Sequence, residues 1–196
     1  QVDEALAGGK RRVLACGSLG LMDRFDSFRE PPLRLPSEMS AIIADPTRFA
    51  LIDKVIALDE HTSLLTETTL STELHPFLVD HAIDGVPYHP GVMALEMFAE
   101  NALLLKPTTC LAGFENVSFG LPVKLLKDEI KVRVVAEYNN SDGDIHWINC
   151  KLVSDLMNSK GEIFGEREHH SATVRLVEKS DDLSNFLQSE IEQMPD

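Results

Sequence analysis

The sequence predicts an α+β domain in which an antiparallel sheet wraps around one long buried helix, and three observations carry that prediction. Apolar residues fill 11 of the 14 positions from Val92 to Leu105. That is more than the one-sided stripe of a surface helix, so this helix needs apolar surroundings on nearly every side. Runs rich in β-branched and alternating residues flank it, two before and four after, and they read as strands. No strand–helix–strand alternation and no internal repeat interrupts this order, which argues against a doubly wound parallel sheet and for a curved antiparallel one.

Taken in order, residues 1–48 carry no regular pattern. A basic triplet, Lys10-Arg11-Arg12, precedes a short apolar run ending at Cys16, and Pro31, Pro32 and Pro36 stand among charges. Prolines fix φ and remove donors, so this stretch reads as a linker or the tail of an upstream domain. The folded core is expected over 49–177. Phe49–Leu58 and Ser63–Leu70 read as paired strands joined across 59–62. A loop rich in His, Pro and Gly spans 75–91, and the helix then runs to Leu105, before Lys106-Pro107. Strands are expected at 111–119, 129–138, 145–154 and 162–177; Ile130, Val132 and Val134 alternate with Lys131 and Arg133, the mark of a sheet with one face buried. The last stretch, 178–196, reads as a linker or a short amphipathic helix capped by Ser180, with Leu183, Phe186, Leu187 and Ile191 on one face.

Length and composition bound the function. A chain of 196 residues holds one domain of ordinary size with flanking segments, and 43% hydrophobic with 26% charged residues gives it a core to bury. The net charge of −14 speaks against a nucleic-acid backbone as partner. Nothing approaches the roughly 20 consecutive apolar residues of a membrane span, because Glu96, Glu100 and Asn101 break the longest run. The cysteines, Cys16, Cys110 and Cys150, are odd in number and lack metal-ligand spacing, so they read as small buried hydrophobes in a reducing cytoplasm. The chain opens on Gln1 without a signal-peptide pattern, which leads us to expect a domain of a longer polypeptide.

Chemistry concentrates between Val79 and Glu96. Pro90-Gly91 stands at the start of the buried helix, where unpaired backbone N–H groups and the helix dipole suit an oxygen that gains negative charge. Glu96 lies one and a half turns into the apolar helix, so burial is expected to raise its pKa and make it a proton donor. His81, in the loop leading to the helix, can serve as a base near neutral pH. Base, acid and oxyanion site in one short span suit removal of a proton α to a thioester carbonyl with loss of a β-hydroxyl.

At these residues the sequence resembles a known family. His81 to Pro90 fits HxxxGxxxxP, the first motif of the dehydratase domains of polyketide and polyunsaturated fatty acid synthases, and Asp80 and Gly91 extend the fit. Phe49–Val55, Pro90–Glu96 and the stretch from Gly113 to Val123 also look like the discrete 3-hydroxyacyl-[acyl-carrier-protein] dehydratases of fatty acid synthesis. The resemblance covers about 49–177 and implies a hotdog fold. By position it makes His81 the catalytic base, Gly91 the oxyanion donor and Glu96 the match to the acid of the discrete enzymes, with Gly85 and Pro90 shaping the loop. It implies an acyl carrier protein and the other domains of a multienzyme synthase as partners, and a substrate on phosphopantetheine with no metal or redox cofactor. Modular synthase dehydratases join two hotdogs in one chain, the second bringing an aspartate in a DxxxQ/H motif, and this chain has room for one. The string Asp142–His146 falls in a turn-rich segment and reads as chance. The acid is then Glu96, acting on His81 of a second subunit in a homodimer, or an aspartate of a partner domain. The tail from Arg12 to Gly20 faintly resembles the end of a ketoreductase domain.

Other histidines have blander readings. His89 reads as a loop residue, and His169-His170 lie in a strand where neighbours face opposite ways, which disfavours a shared metal. Lys124, Lys127, Lys131 and Arg133 read as a solvated strand face, with a basic patch for a carrier protein as the alternative. Two rivals to a dehydratase remain on the residues alone: a hotdog thioesterase, which has no need of His81 in this motif, and a silent hotdog that holds a synthase together by dimerising.

Overall fold

The computed structural model describes residues 49–59 and 62–178. The segments read as linkers at 1–48 and beyond Glu178 lie outside the described residues, as do Glu60 and His61 of the first hairpin. Among the described residues eight strands and two helices follow one another: β1 (Lys54–Asp59), β2 (Ser63–Ser71), α1 (Phe77–Asp80), β3 (Ala82–Ile83), β4 (Val86–Pro87), α2 (Gly91–Leu105), β5 (Thr109–Phe119), β6 (Glu129–Asp142), β7 (Ile145–Met157) and β8 (Ile163–Glu178). Six of them form one sheet in the order β1-β2-β6-β7-β8-β5, antiparallel throughout. β3 and β4 pair separately as a small hairpin before α2. This is the hotdog arrangement, an antiparallel sheet curled around a central helix.

Period-two patterning builds the inner face. Leu64, Val132, Val134, Ala136, Ile148, Leu152, Val174 and Leu176 are fully or almost fully buried, and they meet Met97, Phe98, Ala102, Leu104 and Leu105 of α2. Two of the inward residues of β2 are polar, and each has a partner: Thr66 Oγ1 donates to Asn101 Oδ1 at 2.8 Å, and Thr68 Oγ1 donates to the carbonyl of Leu51.

Three sequence expectations change. Phe49–Ile52 is not strand; β1 starts at Lys54, and the preceding residues cross the helix as a buried strap, with the Leu51 N–H donating to Glu100 Oε2 at 2.9 Å. A strand there would face its own partner strand instead of the helix that Phe49, Leu51 and Ile52 cover. The helix is not buried all round either, since Val92 is 68% exposed and Glu96 is exposed beside it one turn on. Finally, β6 continues through the Asn-rich segment to Asp142, and the reversal is a tight one at Gly143, whose φ of 55° suits a residue without a Cβ.

Candidate active site

His81 is placed by a local device that the sequence spells out. β3 and β4 pair Ala82 with Pro87 and Ile83 with Val86, leaving Asp84 and Gly85 as the two turn residues. Their φ values, 52° and 79°, are the paired left-handed conformations of a type I′ hairpin, for which Asp-Gly is a preferred sequence. The hairpin returns Tyr88 to His81: the Tyr88 N–H donates to the His81 carbonyl at 2.9 Å, and His81 Nδ1 lies 2.8 Å from the Tyr88 carbonyl. A carbonyl only accepts, so Nδ1 carries the proton and Nε2 of the neutral ring is left as the basic nitrogen. The loop is pinned in turn to the 123–125 segment, His89 N–H to Val123 O and Leu125 N–H to Pro87 O, both at 3.0 Å.

Pro90 then caps α2 in an extended conformation, with no side chain bonding the first turn. The leading N–H groups of a helix have no carbonyl within it, so Gly91 presents an unpaired donor at the positive end of the dipole. A Cβ on Gly91 would come within 2.7 Å of the Phe119 ring, so only glycine lets that ring close over the helix start. Phe119 is aimed there by a bulge in β5 between Glu115 and Ser118, where Asn116 has a φ of 52°.

A groove of about 380 Å³ joins these parts, lined among others by His81, His89, Gly91, Phe119 and His170. His81 is exposed at its rim. His89 and His170 are buried, neither ring nitrogen of either having a hydrogen-bond partner. Burial lowers the pKa of His89 to about 3, helped by the charges of His170 and the other nearby histidines; burial likewise lowers that of His170.

Of the residues picked from sequence, His81, Gly91 and the turn-forming Gly85 meet at one loop–helix junction, with Pro90 as the cap. Glu96 does not join them: it is exposed on α2 and does not line the groove. The buried carboxylate is Glu100, one turn further, whose pKa is pushed up to about 7 by burial, against the lowering effect of the Leu51 N–H and with the Glu96 charge adding to the rise. The reason is coverage: Val92, Glu96 and Glu100 follow one another at four-residue spacing along one stripe of α2, and the Phe49–Ile52 strap crosses that stripe at Glu100, leaving Val92 and Glu96 in the open.

No basic patch forms on β6, because Arg133 is buried between Asp155 and Glu166 at 2.6 and 2.7 Å, and Lys131 pairs with Glu67. His169 and His170 flank a bulge in β8, where Leu152 pairs with His170 and Val153 with Glu168, so both rings are buried. His169 bonds Ser154 Oγ and the Leu121 carbonyl. Among the described residues no group of three or more His, Cys, Asp or Glu converges as for a metal ion. His146, at the end of the DxxxH string, bonds Glu178 at 3.0 Å, far along the sheet from the groove residues. Among the described residues no helix is long and apolar enough to cross a membrane.

Comparison with known proteins settles the family. Residues 50–148 match the family model described as polyketide synthase dehydratase domain. The chain belongs to that family. Dehydration in polyketide biosynthesis is therefore the reaction of this dehydratase domain, a lyase. No curated protein matches it significantly. Among solved structures, the dehydratase heterocomplex ApeI:P from Xenorhabdus doucetiae superposes with a TM-score of 0.55 at 15% identity, over 79% of this chain and 99% of that one. The dehydratase domain from the CurF module of curacin polyketide synthase gives 0.51 at 12% identity, over 68% of this chain and 46% of that one. This chain thus spans less than half of that one. A thioesterase family protein from Silicibacter pomeroyi gives 0.51 at 14% identity, over 71% and 94%. At such identities these structures bear on the fold alone.

Proposed function

We propose that the domain dehydrates a 3-hydroxyacyl thioester, carried on the phosphopantetheine of an acyl carrier protein, to the 2-enoyl thioester. The observation that supports this reading is the bond from His81 Nδ1 to the Tyr88 carbonyl, which leaves Nε2 as the ring nitrogen available to act as a base. Nε2 takes the proton from the carbon α to the thioester carbonyl. The oxygen that gains charge is held at the Gly91 N–H, the C–O bond at the β carbon breaks as the C=C bond forms, and the departing hydroxyl leaves as water after taking a proton. These are proton transfers and one elimination, so the reaction calls for no metal and no redox cofactor.

The proton donor in this reading is Glu96 of a second copy of the chain. Its exposure on α2, away from the groove of its own chain, supports a role across a homodimer. Mixing tests this directly. His81→Ala and Glu96→Gln proteins, each inactive alone, regain partial dehydratase activity after denaturation and joint refolding, since mixed dimers hold one intact site. Absence of rescue, with mixed dimers present by native mass spectrometry, would remove Glu96 from the role and point to an acid on another domain of the synthase.

A further inference from the structure

The groove holds two polar groups that the proposed chemistry does not use. His89 is 3% and His170 5% exposed, all four ring nitrogens are without a partner, and both side chains line the groove that His81 borders. A histidine kept for structure behaves differently in this protein: His169, next in sequence, spends both nitrogens on Ser154 and Leu121. Buried polar groups are nearly always paired in folded proteins, so two rings with both nitrogens unpaired, lining one groove, mark a place built for a ligand atom.

Their placement is fixed from two directions. Leu176, Val174 and Ala172 form the buried inner row of β8, and His170 continues it at the helix-start end, opposite Phe119 in register and with the two rings edge to face at 5.6 Å. Phe119 in turn covers Gly91. His89 comes from the loop before Pro90, its backbone tied to Val123 and its ring edge-on to Phe77 at 6.3 Å. Burial keeps both rings neutral near pH 7, and the His169 backbone beside His170 acts weakly in the opposite sense without hydrogen-bond geometry. A neutral imidazole offers one donor and one acceptor. Such a pair suits a hydroxyl, which does both, and gives no charge with which to hold a carboxylate.

We propose that His89 and His170 form a hydroxyl-binding subsite that receives the 3-hydroxyl of the substrate and holds the scissile C–O bond beside the base. This rests on the dehydratase reading above. The two histidines orient the oxygen and discriminate hydroxyacyl from saturated acyl chains; they do not take part in the net proton transfer.

The test measures binding where turnover is blocked. In the His81→Ala protein, calorimetry with 3-hydroxyoctanoyl-pantetheine and octanoyl-pantetheine is expected to show the hydroxy ligand bound about tenfold more tightly, the worth of about one net hydrogen bond. Adding His89→Phe and His170→Phe together is expected to abolish that preference while leaving octanoyl affinity within about twofold. A preference that persists, one that was never present, or an equal loss for both ligands would overturn the subsite. Should the double variant fail to fold, imidazole ¹⁵N shifts of His89 and His170 in the His81→Ala protein give the answer without it. They move with the hydroxy ligand alone if the subsite exists, and respond alike to both ligands or to neither if it does not. The two readings fail differently: ligands that bind without hydroxyl preference sink only the subsite, whereas failure of the unmutated protein to form any enoyl product sinks the dehydratase substrate and the subsite with it.

Discussion

The base proposed at His81 depends on one carbonyl, and Gly85 forms the turn that brings that carbonyl there. Replacing Gly85 by Val forces a β-branched residue to φ 79°, at a cost of about 1–2 kcal/mol, and misplaces the Tyr88 oxygen. We expect the variant to fold, by circular dichroism, with kcat lowered and KM little changed. Gly91→Ala meets the Phe119 ring at 2.7 Å; its lost thermal stability and activity are expected to return in part when Phe119→Ala is added, and a double variant no better than the single one would place the clash elsewhere. The histidine, glycine and proline of this loop were legible because turn chemistry and a helix start are local properties of sequence. Which glutamate of α2 is buried was not: both fit an apolar helix, and the choice depends on where the Phe49–Ile52 strap crosses it. His170 did leave a trace, a polar residue in the period-two row of Ala172, Val174 and Leu176, but only the fold shows that this row ends in the groove.

At the scale of the elements, the strap and the central helix are joined by a carboxylate that titrates abnormally. Glu100 has a folded pKa of about 7, above the usual value of about 4.5, so the fold binds a proton more tightly than the unfolded chain does. Its contribution is therefore fullest below about pH 4.5 and is lost as pH rises through 7, a span of roughly 3 kcal/mol. Glu100→Gln keeps an acceptor for the Leu51 N–H and removes the titration, so the stability difference between variant and parent is expected to grow in the variant's favour from pH 5 to 8 in urea titrations. His89 has the opposite sign. Its folded pKa of about 3 lies below 6.5, so its contribution is present above pH 6.5 and lost on acidification toward 3. His89→Phe should accordingly flatten the acid limb of the stability profile. The order of strands around one apolar helix was readable because periods of two and 3.6 differ over runs this long. The strap was read as strand because a short apolar run looks the same whether it pairs with a strand or lies across a helix.

For the whole molecule, the exposed sheet edge bears on assembly and the product bears on chemistry. β5 is an edge strand of the sheet, and its end is apolar and exposed, with Phe119 at 55% and Val117 at 40%; an edge of this kind calls for a partner. A dimer is expected at micromolar concentration by sedimentation velocity, and a monomer there would undercut the shared Glu96 site. Family and fold were accessible from the motif and the element order, whereas the choice between Glu96 of a second copy and an aspartate of a partner domain was not, because it turns on an interface that one sequence does not specify. The most direct test of the central claim is product analysis of the domain with a 3-hydroxyacyl thioester on pantetheine or acyl carrier protein, beside His81→Ala. The account predicts 2-enoyl thioester from the parent and a loss of about 10²–10⁴-fold in the variant; free acid released equally by both proteins would contradict it and make the domain a thioesterase.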